Sequence, residues 1–545
     1  MATYLRTRTP TRQGPAFDID AWTFAVYRTG TVTVNEPGRG AQDGACRGEG
    51  WGAVRCGAVF RKLRELTVNL TVYGVGDVAV QIASFLLLPL YTIVLSTTEN
   101  GAIALLLIVE QVMRVVNRWG VDASFMRFYY DCADDRARRE LASTIFFFLI
   151  AASGSLTLAA VAAAPLIAQP LFGGDDFTTP LRLVFITTLF GSVSFLPFHV
   201  LRIEQRARTY VALTFANNLA TLLVKLLFVV VLRMSVLGVA LADLLVAVGL
   251  ALTLAPRYAA LIRPVFSMRR LRACLAFGLP RVPHSFAHQV IATVDRFTLS
   301  RFAPLSPLGV YNIGVSLGLG LKLFLSAFET AWAPFYFREM KTPGAQRTFR
   351  TMSTYAFGVL VLLVAGLAAV GRDLVRLMTA PTYHGAAAVV PWIGLAVGLQ
   401  GIYLLTSIGL NITKRTAYYP VVTGAATVAA IVASLLLVPR YGILGAAWSN
   451  VIAYGVLAAV GMALSQRFYP IQYEWPRIWR LAAAGVLATV AGRLVLGPTA
   501  APLVGLLVRG TCAVAVFAGA LMATGFFRPR EIVMAREGLQ GLFRR

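Results

Sequence analysis

Charged side chains lie inside long apolar stretches at two corresponding places in the chain. Glu110, Arg114 and Arg118 share a helical face in the first stretch, and Lys322 and Glu329 do so in the second. An ionisable group at the bilayer centre costs about 3 kcal/mol, so it normally faces a cavity or a partner. Cations in such a cavity would bind phosphate through charge-assisted hydrogen bonds. Alternatively, Glu110–Arg114 and Lys322–Glu329 are ion pairs that fix helix packing, and Arg118 snorkels to the membrane surface.

Other apolar stretches carry further ionisable groups. Lys225 and Arg296 are additional candidates for binding an anion in the same cavity. Asp77, Asp295 and Glu329 are candidates for a proton or sodium site, or they are counter-charges to the cations. His284 and His288 are four residues apart, but they have too few acidic neighbours to predict a metal site. The five cysteines form no CxxC motif, and neither a metal nor a cofactor is expected.

The elements that position these residues must be membrane helices. The chain has 545 residues, of which 57% are hydrophobic and only 14% are charged, and its mean hydropathy is +0.69. Roughly 25% of the residues of a soluble domain are charged. This composition excludes a soluble enzyme, a disordered protein and a fibrous protein. Because backbone groups must be satisfied internally in lipid, the sequence predicts an all-α polytopic membrane protein.

Fourteen apolar segments are long enough to be transmembrane spans, and the links between them are short. In those links 21 basic residues lie on one side of the predicted membrane and 7 on the other. The positive-inside rule places the richer side, and with it both termini, in the cytoplasm. The net charge of +25 is thereby explained without nucleic acid. The predicted spans are 68–93, 101–120, 141–165, 180–202, 209–232, 236–256, 274–300, 308–334, 352–372, 384–410, 418–438, 442–465, 479–497 and 501–526.

The sequence repeats itself with an offset of 204 to 209 residues. The segment 201–210 resembles 410–419, and Gly101 matches Gly309. Two six-helix units entering the membrane from the same side are therefore predicted, with their axis along the membrane normal and a cavity between them. Arg114 then corresponds to Lys322, which places two cations at equivalent positions. The predicted divisions are an N-terminal extension (1–60), an N-lobe (61–265), a C-lobe (266–470), two appended spans (471–530) and a cytoplasmic tail (531–545).

The N-terminal extension differs in composition from the rest of the chain. Residues 1–60 are polar, rich in Gly, Arg and Thr, and contain no signal-peptide core. We expect this extension to be disordered. Whether it is present in the native protein is open, because translation could begin near Val59.

Several short motifs resemble Wzx-type polysaccharide-lipid flippases of the multidrug/oligosaccharidyl-lipid/polysaccharide (MOP) exporter superfamily. The resemblance covers about 66–526 and rests on the order of the motifs, the repeat and the span count. The motifs lie in the first, seventh and eighth predicted spans and shortly after the second: Tyr73-Gly74, 85–92, 127–130, 277–280, 295–297, 309–311 and 331–335.

The resemblance implies a V-shaped pair of six-helix lobes with two extra helices. It further implies a non-enzymatic flippase that moves undecaprenyl-pyrophosphate-linked oligosaccharides across the bacterial plasma membrane, with basic cavity residues contacting the headgroup. Arg114 and Lys322 fit that role by position. The glycan and the energy source are not implied, and a polymerase and glycosyltransferases are open as partners beside the membrane lipids.

Three rival functions remain open. A cation-coupled multidrug antiporter of the same superfamily would need acidic cavity residues, for which Asp77 is a candidate. A lipid II flippase for peptidoglycan can also have fourteen spans. A membrane glycosyltransferase or polymerase would need a sizeable outer loop with catalytic residues, whereas the first outer loop offers only Glu99. No phosphate-binding GxxxxGK[ST] loop is present, which disfavours ATP-driven transport by this chain alone.

Overall fold

A computed structural model describes residues 88–527 of the chain, apart from Ala133, Gln205, Lys341 and 498–500. All regular elements in this part are helices, which confirms the predicted all-α class. The predicted span 68–93 is described only from Leu88 onward. Asp77, the N-terminal extension and the predicted cytoplasmic tail lie outside the described residues.

Seven α-helices form the described portion of the predicted N-lobe. The second begins with a capping box: Ser96 Oγ accepts from the Glu99 amide at 3.2 Å, and the Glu99 carboxylate accepts from the Ser96 amide at 2.7 Å. The sixth continues into a π-helical turn, Leu226–Val231. The helices are α1 Leu88–Val94, α2 Thr97–Arg118, α3 Val121–Asp131, α4 Asp135–Phe172, α5 Thr178–Ile203, α6 Ala207–Lys225 and α7 Ser235–Leu261.

Ten α-helices follow, and several are joined by short 3-10 segments. Those segments are Leu279–Arg281, Pro381–Ala388 and Thr416–Tyr418. The helices are α8 Met268–Gly278, α9 Val282–Phe302, α10 Leu305–Gly318, α11 Leu321–Glu339, α12 Ala345–Met378, α13 Val390–Thr406, α14 Ile408–Ile412, α15 Tyr419–Phe468, α16 Trp475–Leu494 and α17 Pro502–Ala523.

Two spans predicted as continuous helices are broken. The span at 274–300 contains the 3-10 turn between α8 and α9, where Pro280 and Pro283 cannot donate helical hydrogen bonds. The span at 308–334 is bent by 44° between α10 and α11. The break falls at Leu319 and Gly320. Apolar composition revealed the length of both spans but not these breaks.

Helix α15 is two helices joined by a reversal. Gly442 has φ 54° and ψ −126°, a conformation that favours glycine. Ser434 Oγ lies 3.0 Å from Ser449 Oγ, whereas a straight helix would separate these residues by about 22 Å. The chain therefore turns back on itself near Gly442, between the segments predicted as spans 418–438 and 442–465.

Eight helices in the described part are long and apolar enough to cross a membrane, with α15 counted once. The bent pair α10 and α11 would raise this number to nine. These helices identify a polytopic membrane protein. The predicted total of fourteen spans stays a prediction, as do the lobe boundaries.

Two apolar clusters hold the helices that carry the candidate residues. Leu105, Phe185 and Tyr311 belong to a cluster that joins α2, α5 and α10. Phe357, Leu481 and Phe517 belong to another, which joins α12 to α16 and α17. Helices in lipid associate chiefly through close packing and polar contacts. The appended helices α16 and α17 are therefore packed parts of the fold.

Candidate functional site

Arg114 and Arg118 stand one turn apart near the end of α2. Arg114 forms an ion pair with Glu110, yet half of its side-chain surface is exposed. Arg118 lies 3.8 Å from the Asp122 carboxylate of α3. Exposed pairs of this kind contribute about 0–1 kcal/mol to stability. Glu110 and Arg114 thus form the ion pair that was considered for helix packing, but Arg114 is still accessible to a ligand.

Lys322 lies in a cluster of basic side chains. Lys322 is near enough to Arg296 for their positive charges to repel each other. His288 lies within electrostatic range of Lys322 and of His284. In the described part of the chain Lys322 forms no ion pair, so the predicted pairing with Glu329 is not observed. Glu329 is exposed on α11. The geometry thus places two cations, Lys322 and Arg296, close to each other.

Lys225 differs from the other predicted cations because it has a close carboxylate partner. Its Nζ lies 2.7 Å from Asp243 Oδ1 on α7, and both side chains are mostly buried. The sequence prediction did not consider Asp243. This pairing favours a packing role for Lys225 and leaves it less available to an anion than Lys322.

Asp295 is the centre of a buried hydrogen-bond cluster. The Tyr311 hydroxyl donates to Asp295 Oδ2 at 2.5 Å, and the Asn450 amide donates to the same oxygen at 2.7 Å. The second oxygen, Oδ1, is buried without a donor among the described residues, and Nε of the neighbouring Arg296 is buried without an acceptor among them. Sequence reasoning missed Tyr311 as a partner, although it stands in a quoted motif, and missed Asn450 because a single amide in an apolar span gave no signal.

We expect Asp295→Ala to lower the free energy of unfolding by about 1–2 kcal/mol, because Tyr311 and Asn450 would lose their shared buried acceptor. Asp295→Asn retains an acceptor oxygen and should cost less. Thermal unfolding of both purified variants measures the difference. Equal losses would show that the acceptor does not matter at this position.

The two halves of the chain meet at both ends of α2 and also between them. At the first, α2 and α10 approach so closely that a Cβ on Gly101 would overlap the Leu305 carbonyl, and one on Gly309 would overlap the Thr97 carbonyl. Thr97 Oγ1 and Ser306 Oγ are 2.7 Å apart beside them. We call this the Gly101–Gly309 contact. Only glycine allows backbones to approach this closely.

The second meeting place lies at the opposite end of α2. Gly120 and Gly278 bring their backbones together there. The rings of Phe128 and Phe277 pack edge to face at 6.0 Å, and Arg270 Nε lies 3.2 Å from Glu140 Oε1. Between the two ends, Gln289 Nε2 donates to Gln111 Oε1 at 2.5 Å. The halves therefore touch at both ends of α2 in this conformation.

A wide apolar groove of about 1,230 Å³ runs between α12, α13 and α16. Its walls are built mainly from Leu, Val and Ala side chains. Its two ends differ, because basic residues line the end formed by the last turns of α12 and α16, whereas Tyr473 and Trp475 line the end where α16 begins. The basic residues that line the groove are Arg372, Arg376, His384, Arg493 and Arg509, and we call the first four the arginine end of the groove.

A buried ion pair fastens α17 beside this groove. Arg509 Nη1 lies 2.9 and 2.8 Å from the two Asp373 oxygens, and Nη2 donates to the carbonyls of Leu496 and Gly497 at 3.0 and 2.9 Å. The Asp373 and Arg509 side chains are 1% and 5% exposed. Neither was a predicted site residue, because 136 residues separate them and no local pattern links them.

Outside the predicted spans, Cys132 follows α3 and is nearly buried. Burial raises the pKa of its thiol, although Arg270 nearby opposes this effect. The thiol therefore stays protonated at neutral pH.

Solved structures share this fold at low sequence identity. A lipid II flippase MurJ in an inward closed conformation has a TM-score of 0.64 and 12% identity, covering 83% of this chain and 99% of its own. An inward-facing MATE multidrug transporter of the MOP superfamily has a TM-score of 0.60 and 15% identity, covering 74% of this chain and 96% of its own. These similarities show the fold alone.

The sequence comparisons add the family. No curated protein matches the chain significantly. The model of the polysaccharide biosynthesis protein family matches residues 66–340, about half of the chain, and includes Arg114, Arg296 and Lys322. The chain therefore belongs to the polysaccharide biosynthesis protein family, and it has the polytopic MOP fold.

Proposed function

We propose that the protein is a flippase for lipid-linked oligosaccharides in the bacterial plasma membrane. It would carry an undecaprenyl-pyrophosphate-linked oligosaccharide from the inner to the outer leaflet, for O-antigen, capsule or exopolysaccharide synthesis. The headgroup would enter between the two halves while the polyprenyl tail stays in the bilayer. Both termini would be cytoplasmic, and no bond of the substrate would be made or broken.

The excess of positive charge between the helices is the observation that carries this proposal. Lys322 on α11 and Arg296 on α9 lie within electrostatic range of each other, and Arg114 on α2 is accessible although it pairs with Glu110. A pyrophosphate carries several acceptor oxygens that match such donors, and low dielectric surroundings strengthen the attraction. Membership of a polysaccharide biosynthesis family supports the same class of substrate.

The halves would have to separate at one end and then at the other to pass a headgroup. The Gly101–Gly309 contact and the Gly120–Gly278 contact supply two such ends. Asp295 is the candidate coupling group, since it is a buried carboxylate with one oxygen unpartnered among the described residues. Protonation or a sodium ion would neutralise it.

The shared fold is compatible with two rivals. A lipid II flippase, the function named for the similar MurJ structure, would use the same basic cavity for a different pyrophosphate lipid. A multidrug antiporter, the function named for the similar MATE structure, is less compatible with the site, because cations dominate it and would repel a cationic drug. No observation favours a glycosyltransferase or polymerase.

Leaflet-resolved transport in proteoliposomes tests the proposal. A fluorescent polyprenyl-pyrophosphate oligosaccharide would be followed for the wild-type protein, Arg114→Ala and Lys322→Ala. Each loses a hydrogen-bonding charge worth about 1.5–3 kcal/mol, so we expect transport to fall by about 10- to 150-fold.

The matched control is Arg301→Ala, which removes an exposed arginine at the end of α9. It should transport like the wild type. Full activity of both test variants would assign Arg114 and Lys322 to packing. Transport of lipid II in preference to other polyprenyl lipids would favour the first rival. Proton- or sodium-coupled efflux of a soluble cation, with no lipid transport, would favour the antiporter.

A further inference from the structure

The arginine end of the groove between α12, α13 and α16 has no role in the proposed transport path. Arg372 and Arg376 are one helical turn apart on α12, and Arg493 lies in the last turn of α16. All three line the groove together with His384. No Asp or Glu lines it among the described residues. The apolar walls thus lead to a cluster of cations at one end.

This cluster is unexpected for the side of the membrane on which it is predicted to lie. The charge bias assigns only seven basic residues to the outer side, and Arg372, Arg376 and Arg493 are three of them. Outer loops normally carry few cations, because Lys and Arg are retained in the cytoplasm. Nearly half of the predicted outer cations therefore gather around one groove, where an anion would be attracted to their combined charge.

Within the described part of the chain, no carboxylate lines the groove beside Arg372 and Arg493. Asp373 is the nearest carboxylate in sequence, but both of its oxygens are occupied by Arg509. Arg493 donates from Nε to the Ala368 carbonyl at 3.1 Å, which orients its guanidinium while leaving its outer nitrogens without a described partner. Arg372 is exposed and forms no ion pair within the described part of the chain.

The size and lining of the groove indicate a lipid. Its volume of about 1,230 Å³ exceeds the roughly 300–1,000 Å³ of pockets for drug-sized ligands. Its walls include Leu360, Val364, Leu395 and Val486, which offer contacts to hydrocarbon and no hydrogen bonds. Trp475 is the first residue of α16, whereas Arg493 lies in its last turn, so the two lie at opposite ends of the groove. A ligand that fits would be a long hydrocarbon with an anionic group at one end.

We propose that the groove binds an anionic glycerophospholipid of the outer leaflet, with its phosphate at Arg372, Arg376 and Arg493 and its acyl chains along α12, α13 and α16. The ligand occupies the space between α16 and the body of the protein. It therefore stabilises the packing of the appended helices, and it does not enter the cavity that carries the headgroup of the transported lipid.

Native mass spectrometry of the full-length protein in detergent tests this site. Phosphatidylglycerol is compared with phosphatidylcholine of the same acyl chains. The test variant is the double substitution Arg372→Ala and Arg376→Ala. The double substitution Arg372→Lys and Arg376→Lys keeps both charges. The control is Arg301→Ala with Arg440→Ala, which removes two exposed, predicted outer arginines outside the groove.

We expect the wild type to retain phosphatidylglycerol in preference to phosphatidylcholine. The double alanine variant should bind phosphatidylglycerol about 25-fold more weakly, since each arginine near a membrane surface contributes about fivefold. The double lysine variant and the control should remain within about threefold of the wild type. Phosphatidylcholine binding should be the same in all four proteins.

Three results would overturn the proposal. The first is equal retention of the two phospholipids by the wild type. The second is unchanged phosphatidylglycerol binding in the double alanine variant. The third is displacement of bound phosphatidylglycerol by equimolar polyprenyl pyrophosphate, which would assign the groove to the transported lipid. None of them depends on whether the protein transports oligosaccharides, because only binding is measured.

Discussion

Arg509→Ala is expected to lower the free energy of unfolding by about 3–5 kcal/mol, because it leaves a buried carboxylate without its cation. Arg509 binds both oxygens of Asp373 on α12 and also the carbonyls of Leu496 and Gly497 beyond the end of α16. One guanidinium therefore joins three helices. Its loss should release α16 and α17 from α12 before the rest of the protein unfolds.

Three comparison variants separate the charge from the packing. Asp373→Ala should cost about as much as Arg509→Ala, whereas replacing both residues by apolar ones of similar size should recover much of the loss. Arg440→Ala removes an exposed arginine and should have an effect within about 0.5 kcal/mol. Reversible unfolding in mixed micelles measures all of them. A loss below 1 kcal/mol for Arg509→Ala would show that the pair contributes little.

Gly309→Ala is expected to prevent the close approach of α2 and α10. The new methyl group would overlap the Thr97 carbonyl oxygen, which is part of a helix backbone and cannot move aside alone. Overpacking of this kind costs about 1–3 kcal/mol. The population with the Gly101–Gly309 contact closed should therefore fall by about 5- to 150-fold. Gly101→Ala should act in the same way through the Leu305 carbonyl.

Cysteine cross-linking between α2 and α10 measures this contact without a transport assay. Thr97 and Ser306 have side-chain oxygens 2.7 Å apart, so cysteines at both positions should form a disulfide rapidly in the wild-type background. The reaction should slow at least fivefold with Gly309→Ala. Matched controls are Gly154→Ala and Gly191→Ala, whose added methyl groups would meet no atom within 4 Å. Unchanged cross-linking with Gly309→Ala would contradict the prediction.

Apolar run length predicted the helices well because lipid leaves the backbone few alternatives. The predicted span 180–202 corresponds to Thr178–Ile203, and 501–526 to Pro502–Ala523. Helix breaks were less visible. The turn between α8 and α9 contains two prolines, but similar prolines at Pro165 and Pro170 lie inside the continuous helix α4. Whether a proline ends a helix depends on the helices packed around it, and their arrangement cannot be read from the sequence alone.

The candidate site was predictable in kind but not in its pairings. Arg114 and Lys322 were found because a charge in an apolar span is costly wherever it lies. Their surroundings depend on contacts between distant helices, such as Lys225 with Asp243 and Asp295 with Asn450. No local spacing encodes such contacts. Buried charges can therefore be listed from the sequence, whereas their partners require the fold.

The Gly101–Gly309 contact joins residues that are equivalent in the two repeats. Gly101 meets Leu305 and Gly309 meets Thr97, and each of these partners lies 208 residues from its counterpart. This is the geometry of an isologous interface, in which one surface patch meets a copy of itself, as in a two-fold symmetric dimer. In a dimer of identical chains every substitution there would be made twice. In a single chain the two sides can change independently. The equivalent residues Thr97 and Leu305 are accordingly of different types, whereas Gly101 and Gly309 are both glycine.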